Sequence, residues 1–129
     1  MPLPASLKAT TPADLDITIV QGSTYYAEYQ FLDAGSPIDL TGCTATAKLR
    51  TDFAAVGELA TFTCSIPSPT TGTVRLVLLP ATTTALTATF PDASTRSVVF
   101  GVWDFEVTDG TDTVRGAQGK ASLSREVTK

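Results

Sequence analysis

The chain has 129 residues, with 9 Lys and Arg against 13 Asp and Glu, no His, 2 Cys and 43% hydrophobic residues; this suits one globular domain that buries roughly two-thirds of its unfolded surface. A net charge of −4 and a pI near 4.6 exclude the clustered cations of a nucleic-acid surface, and a slightly positive mean hydropathy with 17% charged residues excludes disorder. Without His, Ser-His and Cys-His catalysis and His-bearing zinc sites are excluded, and two Cys cannot complete a four-thiolate site.

Residues 1–14 carry Pro2, Pro4 and Pro12 and show no apolar alternation. They are expected to form an extended N-terminal arm, because each Pro removes a ladder donor and biases its predecessor away from helix. Pro2, Leu3, Pro4 and Leu7 are its candidate interface residues. The same stretch lacks the charged and apolar regions of a secretory signal, and no apolar run in the chain approaches the roughly 20 residues that cross a bilayer. No membrane partner is expected.

Residues 15–129 are expected to fold as one β-domain. Threonine occurs 23 times and, with Val, Ile and the aromatics, favours strands. Short apolar segments recur between Gly, Pro, Asp and Ser at the spacing of a sandwich or barrel. Leu15-Asp16-Ile17-Thr18-Ile19 is the first strand candidate. After the Gln21-Gly22 turn, Tyr25, Ala27, Tyr29 and Phe31 share one face with Glu28 and Gln30 opposite, the pattern of a half-buried strand. A loop around Asp33 to Pro37 leads through Ile38-Asp39-Leu40 and Thr41-Gly42 to the cleanest alternation, Cys43, Ala45, Ala47 and Leu49 against Thr44, Thr46, Lys48 and Arg50.

Ala60, Phe62, Cys64 and Ile66 then alternate with threonine and serine, and Val74, Leu76 and Leu78 form the next inward set. Ala81 to Thr89 follows Pro80 without alternation and predicts a short helical turn or crossover. Ser97 to Thr108 predicts a long strand with Val99, Gly101, Trp103, Phe105 and Val107 on one face. Asp109-Gly110 predicts a hairpin returning through Thr113-Val114-Arg115, with Ala121-Ser122-Leu123 continuing it or forming the last strand. Tyr25, Tyr29, Leu49, Phe62, Leu76, Trp103 and Phe105 are expected in the core.

No residues assemble a catalytic, cofactor or metal site. Cys43 and Cys64 occupy inward positions of neighbouring strand candidates, where a bridge is geometrically conceivable and two small buried thiols are the expectation. Asp109 and Asp112 lack the ligand spacing of a calcium loop and suit a turn. Asp104 and Glu106 share one strand face and suit solvation better than acid-base work. Gly116 to Lys120 does not satisfy phosphate-loop spacing. Tyr26 points opposite to Tyr25 and is the remaining candidate interface residue, since exposed Tyr anchors interfaces.

Four segments in order resemble a known family: Asp16-Ile17-Thr18-Ile19-Val20-Gln21-Gly22-Ser23-Thr24-Tyr25; Pro37-Ile38-Asp39-Leu40-Thr41-Gly42-Cys43-Thr44-Ala45, where Cys43 stands at a position commonly aromatic; Trp103 to Gly110; and Gln118 to Thr128. Together they are similar to small tailed-bacteriophage virion proteins with an immunoglobulin-like sandwich, like the N-terminal domain of upper baseplate proteins. The resemblance spans roughly residues 14–128. It implies a single antiparallel immunoglobulin-like β-sandwich of about seven to nine strands. It also implies a non-enzymatic structural role in the virion, in the tail or baseplate or as a fibre adaptor, assembled in the host cytoplasm. The partners would be other phage structural proteins, with the chain homo-oligomeric or multicopy. The alternatives are a capsid decoration protein, or a carbohydrate- or receptor-binding β-sandwich, which would need an exposed aromatic and polar cluster.

Overall fold

Period-two alternation in this chain resolves into two sheets whose inward sets meet. The structure, a computed structural model, describes Leu3 and residues 11–128. Its strands are β1 (Ala13–Asp14), β2 (Ile17–Val20), β3 (Tyr25–Gln30), β4 (Leu32–Asp33), β5 (Ser36–Pro37), β6 (Thr44–Arg50), β7 (Ala60–Thr61), β8 (Thr63–Ser68), β9 (Thr73–Leu78), β10 (Ser97–Thr108) and β11 (Thr113–Ser124), with one helix, α1 (Pro80–Ala85). The protein is all-β apart from α1 and a 3₁₀ turn at Pro69–Thr71. The larger sheet runs β1-β11-β10-β6-β7, with β2 also on β11; the smaller runs β3-β9-β8, and β4 and β5 form a separate hairpin.

Most pairs are antiparallel, but β1 and β2 both join β11 in parallel, which corrects the expectation of a purely antiparallel fold. A first strand that enters on the same edge as the last, and in the same direction, cannot pair with it otherwise. Eleven strand segments among the described residues exceed the seven to nine expected because β1, β4, β5 and β7 are two-residue pieces.

The core lies between the sheets. Leu49, Leu76, Trp103 and Phe105 are buried as expected, together with Ile19, Val74, Val107 and Leu123. Tyr25 and Tyr29 are half-buried and packed against it. Tyr29 joins the layers: its ring stacks on Phe105 at 5.0 Å and on Trp103 at 5.9 Å. Tyr25 meets Phe62 edge-on at 5.7 Å. Offset and edge contacts of this kind add about 0.5–1.5 kcal/mol each to simple burial.

Ala60 to Ile66 keeps its alternation while changing sheets. Ala60 pairs with Leu49 in the larger sheet and Cys64 with Leu76 in the smaller. Phe62, buried between them, still donates its N–H to Ala47. Pro67 is accommodated because β8 is an edge strand with a register break between Ser65 and Ser68. Helix α1 begins with Pro80 and is anchored by Thr83, whose buried hydroxyl donates to the Ser23 carbonyl at 2.8 Å and accepts the Gly22 N–H at 3.2 Å. Ile38 and Leu40 form no strand yet are buried.

The segment expected as an extended arm is tied to the sandwich where it is described. Ala13 and Asp14 pair with Ala117 and Gln118. Leu3 is 3% exposed within the core, and its N–H donates to Asp109 Oδ2 at 2.8 Å. Leu3 is therefore a core residue of this chain, because its apolar side chain gains more from that burial than from solvent exposure; Pro2, Pro4 and Leu7 lie outside the described residues. Removing residues 2–13 is expected to lower the melting temperature, since loss of one buried Leu costs about 2–5 kcal/mol. Thermal unfolding of the shortened chain checks this, and unchanged melting would restore the reading of these residues as an arm outside the sandwich.

Cys43 and Cys64 are unbridged and half-buried. They do not lie on neighbouring strands, because the sheet change at Phe62 places Cys64 in the smaller sheet while Cys43 leads into β6. Burial pushes both thiols above the ordinary value, and the nearby Asp109 carboxylate adds to this at Cys43. A raised thiol pKa leaves less thiolate at neutral pH. Both are therefore expected to alkylate more slowly than free cysteine in the folded protein, and both to titrate on unfolding without reductant. Finding fewer than two thiols after unfolding would contradict this.

Candidate functional face

The outward residues of β6, β10 and β11 form a grid set by strand register. Val102 lies between Arg50 and Lys120, Asp104 between Lys48 and Gln118, and Glu106 between Thr46 and Arg115. The register break between Phe105 and Glu106 brings Arg115 across from Glu106. Arg115 Nε lies 3.3 Å from Asp104 Oδ2, and its Nη1 donates to Gln118 Oε1 at 3.0 Å. Gln118 Nε2 in turn donates to Asp14 Oδ1 at 3.2 Å. Lys48 Nζ lies 3.3 Å from Glu58 Oε1. The backbone N–H of Glu58 and then Lys48 hold the Glu58 carboxyl below its usual range. Such exposed pairs contribute little to stability, but they fix where the donors and acceptors stand.

Two adjoining grooves run over this grid. One, of about 340 Å³, is walled by Arg50, Phe53, Asp104 and Gln118 among others. The second, of about 350 Å³, covers Thr46, Lys48, Asp104 and Glu106. Lys48, Arg50 and Asp104 border both.

The loop between β6 and β7 closes one end. Asp52 Oδ1 accepts the Ala54 N–H at 2.9 Å, an Asx turn, and Arg50 Nη1 donates to the Val56 carbonyl at 2.6 Å. Held this way, the loop displays Phe53 at 86% and Val56 at 94% exposure. Arrayed donors and acceptors with one apolar ring at the rim constitute a hydrogen-bonding surface. Among the described residues no three His, Cys, Asp or Glu side chains group to hold a metal ion, and no helix is long and apolar enough to cross a membrane.

Tyr26 is exposed on the opposite side of the molecule, on β3, with the Arg75 guanidinium 5.5 Å from its ring centre and Arg75 paired to Glu28 at 3.1 Å. It therefore does not join the grooved face. Trp103 lies in the core with its indole N–H bound to the Leu15 carbonyl at 2.9 Å. Asp104 and Glu106 lie on the outward face as expected. Lys48, Arg50 and Arg115 were read from the sequence only as strand residues and Phe53 was not singled out, because only strand register and the loop's path bring them together. No protein-family model matches the chain, and no curated protein matches it.

Proposed function

We propose that this chain is a non-enzymatic structural component of a tailed-phage particle, with an immunoglobulin-like sandwich, in the tail or baseplate or as a fibre adaptor. Strand order is the observation that supports the sandwich in this reading. The order β3-β9-β8 against β11-β10-β6, with the first strand switched to pair in parallel with the last, matches the B-E-D and G-F-C sheets of immunoglobulin-like domains. Three of the four segments behind the family resemblance contribute β2 and the second halves of β10 and β11 to one sheet, and the other runs through the connection into the start of β6. Fold alone does not carry function, so the resemblance is what supports the particle and the strand order is what supports the module.

The test is electron microscopy of particles bearing an affinity label on this chain. Label at the tail end is expected. Label over the capsid would favour a decoration protein, and particles without label would overturn the proposal.

A further inference from the structure

On the outer face of β6, β10 and β11, positive and negative side chains interleave so closely that neither sign dominates. Lys48, Arg50 and Arg115 lie beside Asp104, Glu106 and Glu58. A polyanion would meet Asp104 and Glu106 wherever it met a cation. An apolar protein partner would strip water from all of these charges, which is costly unless each is re-paired. A ligand rich in hydroxyl groups meets neither obstacle, because each hydroxyl both donates and accepts. Arg50, Lys48 and Arg115 supply donors, Asp104 and Glu106 supply acceptors, and Gln118 supplies both.

We infer that the groove over Arg50, Asp104 and Gln118, ending at Phe53, is a binding site for a neutral saccharide. The volume of about 340 Å³ falls at the small end of ligand sites and admits roughly one or two sugar rings. The second groove, sharing Lys48, Arg50 and Asp104, continues the path for a longer chain. Phe53 presents an aromatic face to the C–H side of a sugar ring, a contact available because the loop is already held by Asp52 and Arg50. Holding the loop beforehand reduces the ordering cost of binding. The inference stands on the groove alone and does not depend on whether the chain belongs to a particle.

Isothermal titration of the full chain with cellohexaose, maltohexaose and chitohexaose, and with heparin as a polyanion, tests it. At least one neutral hexasaccharide is expected to bind with a Kd below about 1 mM. Phe53→Ala and Asp104→Asn are each expected to weaken that binding at least about tenfold. Phe53→Ala leaves the melting temperature unchanged, because Phe53 is 86% exposed. Absence of binding by all three neutral sugars would overturn the inference. So would binding of heparin alone, lost at raised salt, or neutral-sugar binding that Phe53→Ala leaves unaltered.

Discussion

Replacing Trp103 with Ala is expected to cost on the order of 3–5 kcal/mol and to lower the melting temperature by about 10 °C or more. Trp103 is 2% exposed and touches three other aromatic rings, those of Tyr29, Phe62 and Phe105, so its removal opens a cavity between both sheets. It also takes away the donor that the Leu15 carbonyl uses. Trp103→Phe separates the two effects: the ring volume largely remains while the Leu15 carbonyl loses its partner, at about 1–3 kcal/mol. Equilibrium denaturation of both variants checks the order. Equal losses would show that the indole N–H carries most of the effect, and no loss in either would place Trp103 outside the core.

Gly119→Ala is expected to destabilise by about 3 kcal/mol, the upper part of the range for overpacking. A Cβ at this position would collide with the Leu15 carbonyl, a backbone group that cannot rotate aside. The register of β1 and β2 on β11 continues unbroken past this point, so Leu15 and Asp16 cross over Gly119 and Lys120. There the ladder changes hands: the Leu15 carbonyl turns to Trp103, and the Lys120 N–H takes Asp16 Oδ1 instead at 2.9 Å. The sign is diagnostic, because Gly→Ala at an unhindered site stabilises by about 0.4–1 kcal/mol. Amide exchange is expected to quicken in Ile17–Val20 while β3, β8 and β9 stay protected. A stabilised Gly119→Ala variant would rule out the close crossing.

Legibility in the sequence followed how local each signal was. Residues 101–108 and Tyr25–Gln30 were readable because apolar residues keep period two along each of those stretches. Val99 was expected inward with Gly101 and Trp103, yet it is 60% exposed. The register break between Val99 and Gly101 resets the phase there, and nothing in a period-two pattern announces a bulge. Asp109-Gly110 marked its hairpin correctly, and Asp109 Oδ1 accepts from the N–H groups of Thr111 and Asp112 in the turn. The parallel first strand and the sheet change at Phe62 depend on contacts between distant segments and leave no local trace. Asp104 and Glu106 were visible as an outward pair, whereas the groove needed Arg50 and Arg115 from strands on either side. The prolines near the start suggested an arm; burial of Leu3 shows that a proline-rich terminus still contributes to a core when one apolar residue finds a place in it.

The proposed role is tested most directly by quantitative mass spectrometry of virus-like particles gradient-purified from lysates of the strain that carries the gene for this chain. Co-sedimentation with the particles, in a fixed ratio of several copies per particle to a known virion protein, is expected. Recovery of the chain only in the soluble lysate, with none in the particle fraction, would contradict it.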